Sequence, residues 1–180
     1  KDPLVLKLLA ALENEPDRKW SEGDVQAMNV DPSTVRRAFK RQFGITFLEM
    51  ARLRRVGKGV DALAGGEAVI EAQLDASFGS GSGFRAAIIR QIGSNPSQAR
   101  KHQFLKADWL DTPIGSMLAI ASRDALYLLE FIDRPALPNE IERLKQLTSS
   151  EIIFGRTSLT NQVEQELAAY FAGERQTFGI

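Results

Sequence analysis

The chain has 180 residues, with 23 Lys/Arg, 23 Asp/Glu, a single histidine and no cysteine. That length allows one large domain or two small ones with buried cores, and the missing cysteines exclude disulfides, thiolate metal sites and cysteine nucleophiles within it. One histidine, His102, leaves little for a histidine-based metal site or a Ser/His/Asp triad, and no apolar run approaches the ~20 residues needed to cross a bilayer.

Residues 2–14 read as an amphipathic helix. Leu4, Leu8, Ala11 and Leu12 fall on one face, with Val5 and Leu9 beside them, and Glu15-Pro16-Asp17 ends it. A short helix follows from Asp24, with Val25 and Met28 on one side. Asp31-Pro32 then closes that segment and opens another, because Asp caps free backbone N–H groups and Pro suits the first helical position. Val35, Ala38, Phe39 and Phe43 give the inward spacing of this next helix, and Gly44 is its natural left-handed terminator. Its outward face carries Ser33, Thr34, Arg36, Arg37, Lys40 and Arg41. This is a helix-turn-helix pattern, whose second helix is shaped to enter a DNA major groove. Hydroxyls and cations on such a helix suit phosphates and base edges.

Residues 46–63 read as a long helix ending at Gly65-Gly66. Phe47, Met50, Leu53, Val56 and Val60 trace its inward side, and Arg52, Arg54, Arg55 and Lys58 are expected to face solvent or DNA. A second, looser copy of the helix-turn-helix pattern runs from Val69 through Ala72, Leu74, Phe78, Phe84, Ile88 and Ile89 to Gly93. Ser80, Ser82 and Arg85 are its candidate DNA contacts. Three glycines, Gly79, Gly81 and Gly83, surround the start of its second helix. Since glycine costs about 1 kcal/mol per interior helical position, that helix is expected to start late or be mobile. The same glycines do not make a dinucleotide-binding loop, because that fingerprint needs a preceding strand.

The two halves of the chain differ in charge. Residues 1–103 hold 16 Lys/Arg against 12 Asp/Glu, and residues 104–180 hold 7 against 11. Eight cations and one acid, Glu49, lie between Ser33 and Lys58. A half that binds a polyanion beside an acidic half is the reading these counts support.

In the second half, residues 114–122 read as a strand, Arg123-Asp124 as a turn, and residues 125–131 as the hairpin partner. Residues 138–147 read as a helix with Ile141, Leu144 and Leu147 inward. Residues 151–154 are a short strand. Residues 158–172 are a helix with Val163, Leu167, Tyr170 and Phe171 inward, stopped by Gly173. Residues 177–180 look like a further strand beginning. Strand, strand, helix, strand, helix indicates a small α/β or α+β domain. Asp108, Asp111, Asp124 and Asp133 fall at predicted strand ends and turns. A two-metal hydrolytic site needs several such groups converging, and turn acids are the simpler reading.

Residues 20–102 resemble an AraC/XylS-type DNA-binding domain. The likeness rests on Phe39-Lys40-Arg41-Gln42-Phe43-Gly44-Ile45-Thr46, on Arg52-Leu53-Arg54-Arg55, and on Gly93-Ser94-Asn95-Pro96-Ser97-Gln98-Ala99-Arg100, where Ala99 replaces the usual aromatic residue. Ser77 stands where that family usually has glycine. The resemblance implies two recognition helices held by the central helix about one DNA turn apart. It also implies duplex promoter or operator DNA as the partner, RNA polymerase as a second one, no membrane, and a cytoplasmic protein.

The second half resembles the N-terminal domain of methylated-DNA–protein cysteine methyltransferases. Thr112-Pro113-Ile114-Gly115-Ser116, the hairpin after it, and Leu167-Ala168-Ala169-Tyr170-Phe171-Ala172-Gly173-Glu174-Arg175 carry the likeness. That implies a ribonuclease-H-like α/β fold without catalytic residues. The expected architecture is therefore multi-domain, α and α/β. Residues 1–103 form an all-α double helix-turn-helix domain and residues 104–180 the small ribonuclease-H-like domain. This order resembles Ada-type alkylation-response proteins, whose cysteine-rich zinc module and Pro-Cys-His-Arg catalytic domain are absent from these residues. The expected function is sequence-specific DNA binding and transcription regulation within a repair protein, with no cofactor, no metal and no enzymatic activity of its own. The alternative is an AraC-type regulator whose C-terminal domain binds a ligand or partner.

Overall fold

A computed structural model describes residues 2–180. It divides into two compact units, residues 2–102 and 103–180.

The first unit is helical, and its helices begin where side-chain caps are available. Helix α1 (Pro3–Asn14) starts at Asp2, whose carboxylate accepts from Leu4 N–H, and it buries Val5, Leu8 and Leu12. Helix α2 (Glu22–Ala27) opens with a reciprocal capping box between Ser21 and Asp24. Helix α3 (Pro32–Phe43) is capped by Asp31 and closed by Gly44 at φ 73°, a conformation that glycine adopts without strain. Helix α4 (Phe47–Gly65) starts at Thr46 and ends at Gly66. Its 19 residues make a rod of roughly 28 Å. Helices α5 (Val69–Asp75) and α6 (Gly81–Ile92) and a 3-10 turn (Pro96–Lys101) complete the unit.

Helix α4 is the hub: α3, α5, α6 and the 3-10 turn all pack on it. Aromatic contacts pin one helix-turn-helix to its start. Phe39 meets Phe43 and Phe47 at 5.3 Å between ring centroids, and Trp20 meets Phe47 edge-on at 5.2 Å. Further along the rod, Gly59 lets Phe84 of α6 lie directly against the helix; a Cβ there would sit 2.6 Å from Phe84 Cε2. Arg100 of the closing turn donates to the Gly66 carbonyl at the rod's end. His102, the sole histidine, is hydrogen-bonded through Nε2 to Ser94 Oγ at 2.9 Å.

So many neighbours leave α4 little free surface, and the expectation that its cations face solvent or DNA is corrected for Arg54 and Arg55, while Lys58 is exposed as expected. Arg55 is buried, with 7% of its surface exposed. Arg54 pairs with Glu13, and Lys58 with Asp17 at 2.7 Å, so both tie the rod to the N-terminal segment. Leu53, assigned to the core, is only half-buried, whereas Leu63 is buried.

The second unit is a mixed four-stranded sheet in the order β3-β2-β1-β4. Strands β1 (Gln103–Thr112), β2 (Gly115–Ala121) and β3 (Leu126–Phe131) form an antiparallel meander, and β4 (Ser150–Phe154) pairs parallel to β1. Gly115 turns the chain between β1 and β2 at φ 143°, and Thr112 Oγ1 donates to the Gly115 carbonyl at 2.6 Å. Helix α8 (Ser158–Phe171) lays Val163 and Leu167 on Leu110, Met117 and Ala119 of one sheet face. The opposite face buries Leu105, Ala107, Trp109, Leu118 and Ile120, with Trp109 stacked on Phe154 at 4.3 Å. Helix α7 (Leu137–Thr148) packs on β3 and β4.

Four expectations for this unit are corrected. Strand β1 was not anticipated: Ala107-Asp108-Trp109-Leu110 is buried on both faces, which erases the alternation that marks a half-buried strand. Asp108 therefore lies within a strand and not at its end, whereas Asp111, the penultimate residue of β1, lies at a strand end as expected. Asp108, 1% exposed, is matched by Arg156, whose Nε lies 2.8 Å from Oδ2. Leu147 and Tyr170 are exposed, at 73% and 46%. Residues 177–180 form no strand; their backbone is tied instead to α8, where Gly179 N–H donates to Glu166 Oε2 at 2.7 Å.

Candidate nucleic-acid interface

Two helices of identical length project from the rod. Helix α3 spans residues 32–43 and α6 spans 81–92, each 12 residues, offset by 49. Their caps keep the same offset. Asp31 and Ser80 are the N-caps, and Gly44 and Gly93 the left-handed C-caps. The turns before them each hold one left-handed residue, Asn29 at φ 58° and Ser77 at φ 55°, at an offset of 48.

The first helix is firmly started. Asp31 accepts from Thr34 N–H at 2.8 Å, from Thr34 Oγ1 at 2.9 Å and from Ser33 Oγ at 2.5 Å. These bonds, the Ser33 hydroxyl first, lower its carboxyl pKa to about 2. Asp24 is lowered to about 2 as well, by the Ser21 hydroxyl and then by the Arg18 guanidinium. Ser33 and Thr34 thus spend their hydroxyls on the cap, although both residues stay exposed. Arg36 pairs with Glu22 of α2 at 2.5 Å, and Arg41 with Asp2 at 3.4 Å. Arg37 donates to Thr34 Oγ1 at 3.4 Å. Arg37 and Lys40 make no ion pair among the described residues, and both are exposed. The structure therefore brings Ser33, Thr34, Arg36, Arg37, Lys40 and Arg41 onto one solvent-facing surface, where Arg37 and Lys40 are the most available to a polyanion.

The second helix begins on time, which corrects the late start expected from its glycines. Ser80 Oγ accepts from Gly83 N–H at 3.2 Å and compensates for the weak helix formers around it. The turn before it is braced from within. Arg55 Nη1 donates to the Ser77 carbonyl at 3.0 Å and to the Ala76 carbonyl at 3.4 Å, and its guanidinium lies 5.1 Å from the Phe78 ring centre. Gln73, also buried, donates to the Phe78 carbonyl at 3.0 Å. Arg55 is therefore a brace for the turn and not a DNA contact. Burial lowers its pKa, with the charge of Arg52 adding to that effect.

On α6, Ser82 and Arg85 are exposed, and Ser80 is the cap. Arg85 occupies the place of Arg36 in the 49-residue repeat. Arg90, exposed in the last turn, takes the place of Arg41 and was missed in the sequence; the same offset would have found it. Leu74 and Ile89, placed in the apolar pattern of the second copy, are exposed at 65% and 41%.

Residues 25–102 match the family model of a helix-turn-helix domain. No curated protein matches the chain. Among solved structures, the xylose-binding transcription activator xylR is similar at 17% identity and a TM-score of 0.47, over 56% of this chain and 27% of its own. The chain thus spans about a quarter of that protein's length. A helix-turn-helix domain is a DNA-binding module, and no helix among the described residues is long and apolar enough to cross a membrane.

Proposed function

We propose that these 180 residues regulate transcription by reading duplex DNA with α3 and α6, and that residues 103–180 are the non-catalytic N-terminal domain of a methylated-DNA–protein cysteine methyltransferase, in the order found in Ada-type alkylation-response proteins. The observation that carries the DNA reading is the pair of capped, 12-residue helices set 49 residues apart on one rod, with Arg36, Arg37, Lys40, Arg41, Arg85 and Arg90 on their exposed faces. Cations that neutralise phosphates release counterions and supply affinity; side chains at base edges supply selectivity.

The repair reading is supported by the Thr112-Pro113-Ile114-Gly115-Ser116 turn, by the three-stranded meander with a fourth strand parallel to β1, and by the position of this unit directly after the helix-turn-helix domain. Direct dealkylation needs a thiolate to accept the alkyl group, and the chain has no cysteine. Its part in repair is then recognition and support, with transfer performed by a cysteine outside these residues.

Two experiments test the two levels separately. Selection from random duplexes should enrich a defined sequence whose binding weakens with salt. Recovery of no preferred sequence, with no retardation of any duplex at ~50 mM salt, overturns the DNA reading. Incubation with DNA carrying radiolabelled methyl groups, followed by denaturing electrophoresis, should leave the 19.9 kDa chain unlabelled. Retained label would reveal another methyl-accepting nucleophile and overturn the assignment of residues 103–180 as a non-catalytic support.

A further inference from the structure

The two reading helices differ in a way that bears on what each can recognise. Matched through the 49-residue offset, Ser33 corresponds to Ser82, Arg36 to Arg85 and Arg41 to Arg90. At three positions the chemistry changes: Thr34 becomes Gly83, Arg37 becomes Ala86, and Lys40 becomes Ile89. Ala86 and Ile89 are both exposed. Together with Ser82 and Arg85 they occupy positions i, i+3, i+4 and i+7 of one helical stripe. Ile89 is 41% exposed while its neighbour Ile88 is fully buried, so the core is already served by Ile88. A β-branched apolar residue gains nothing for the helix at a solvent position. Its place between Arg85 and Arg90, on the face that α3 fills with cations, gives it a different task.

In the major groove each base pair presents a distinct edge. Arginine suits the two acceptors of guanine, and an apolar side chain suits the C5 methyl of thymine. We propose that Ile89, with Ala86 one turn before it, is a specificity-determining contact for a base bearing a C5 methyl group, so that α6 selects thymine in its half of the site while α3 selects through charged and hydrogen-bonding groups. This rests on the reading of α6 as a DNA-contacting helix. The ligand chemistry has two sources, thymine and 5-methylcytosine, which share the methyl but differ at the neighbouring hydrogen-bonding group.

The test uses the full chain and the duplex enriched by selection. Each thymine in the part of the site protected by α6 is replaced by deoxyuridine, which keeps every hydrogen-bonding group and removes only the methyl. At one or two positions the affinity of the native chain should fall about fourfold, the loss of one buried methyl-sized group. Ile89→Ala should bind the thymine site about as weakly as the native chain binds the deoxyuridine site, and should no longer discriminate the two. Ile89 is on the surface, so the circular dichroism and melting of the variant should match those of the native chain. Replacing the same pair by a 5-methylcytosine–guanine pair should restore part of the lost affinity relative to cytosine if the methyl dominates, and none if the thymine oxygen is also read. Binding that is specific and salt-sensitive but indifferent to deoxyuridine at every position, or discrimination that survives Ile89→Ala, overturns the inference and leaves the DNA-binding reading standing. Failure to bind any duplex overturns both.

Discussion

Replacing Arg55 by methionine separates the structural account of the central helix from the reading its sequence invites. The arginine lies in a cluster of cations on a helix that touches both recognition elements, where a phosphate contact is the natural assumption. The structure instead buries it against two carbonyls, at 3.0 and 3.4 Å, that belong to the turn leading to α6. Charge-assisted hydrogen bonds to such acceptors contribute about 1.5–3 kcal/mol, and the contact with the Phe78 ring adds roughly 0.5–1. Removing the buried cation recovers part of its desolvation, so the net loss should be about 2 kcal/mol. In a unit of this size that lowers the melting temperature by about 8–16 °C. Methionine keeps the apolar stem, so little of the loss is packing. Lysine should rescue only partly, because a compact ammonium on a flexible stem does not reproduce the planar guanidinium that lies by the Phe78 ring while its Nη1 reaches both carbonyls. The decisive comparison pairs denaturant unfolding with the salt dependence of DNA binding. A lost phosphate contact reduces the slope of log K against log salt by about one and leaves stability unchanged. The structure predicts the reverse, lower stability with an unchanged slope under conditions where the variant is folded. A reduced slope with native stability would refute the brace.

Three further outcomes follow from the same geometry. Gly59→Val should destabilise the first unit by about 1–3 kcal/mol in chemical denaturation, since its Cβ would lie 2.6 Å from the buried Phe84 ring; Gly65→Ala, where nothing lies within 4 Å, should be neutral or stabilising by up to about 1 kcal/mol. Asp24 and Asp31 have folded pKa values lowered to about 2 from 3.8, so their capping contributes fully above about pH 4 and is lost as pH falls towards 2. Helicity followed by circular dichroism should show this, and Asp31→Asn should flatten the dependence in that window. Glu22→Gln should raise DNA affinity roughly two- to fivefold at low salt by releasing Arg36, whereas an unchanged affinity in a titration would mean that the pair is already open in solution.

The first unit was largely legible because its signals are local. Asp31-Pro32, Gly44, Thr46 and Gly93 are caps that act within a few residues, and they mark real helix ends. The second recognition helix was harder to place, since Ser80 offsets its glycines through a single hydroxyl. Arg55 was misread because nothing local separates a buried arginine from its exposed neighbours; its burial depends on the turn at Ala76 and Ser77, more than twenty residues away. Strand β1 was missed for a related reason. Ala107-Asp108-Trp109-Leu110 is buried on both faces and holds a carboxylate whose partner, Arg156, lies 48 residues on. Conversely, residues 177–180 have strand-like composition but are held by Glu166 of α8, a contact that propensity does not encode.

Footprinting on the selected duplex tests the central claim most directly, combined with affinity measured between ~50 and ~200 mM salt. Arg36, Arg37, Lys40, Arg41, Arg85 and Arg90 give six exposed cations on two helices, and at about 0.9 counterions each the slope of log K against log salt should be near −5. Protection should appear as two major-groove segments on one DNA face, centred about one helical turn apart, as two reading helices on one rod require. Arg37→Ala should weaken the first segment and Arg85→Ala the second. A single protected segment lost equally in both variants, or an affinity independent of salt, would contradict the account of a bipartite reader built on α4.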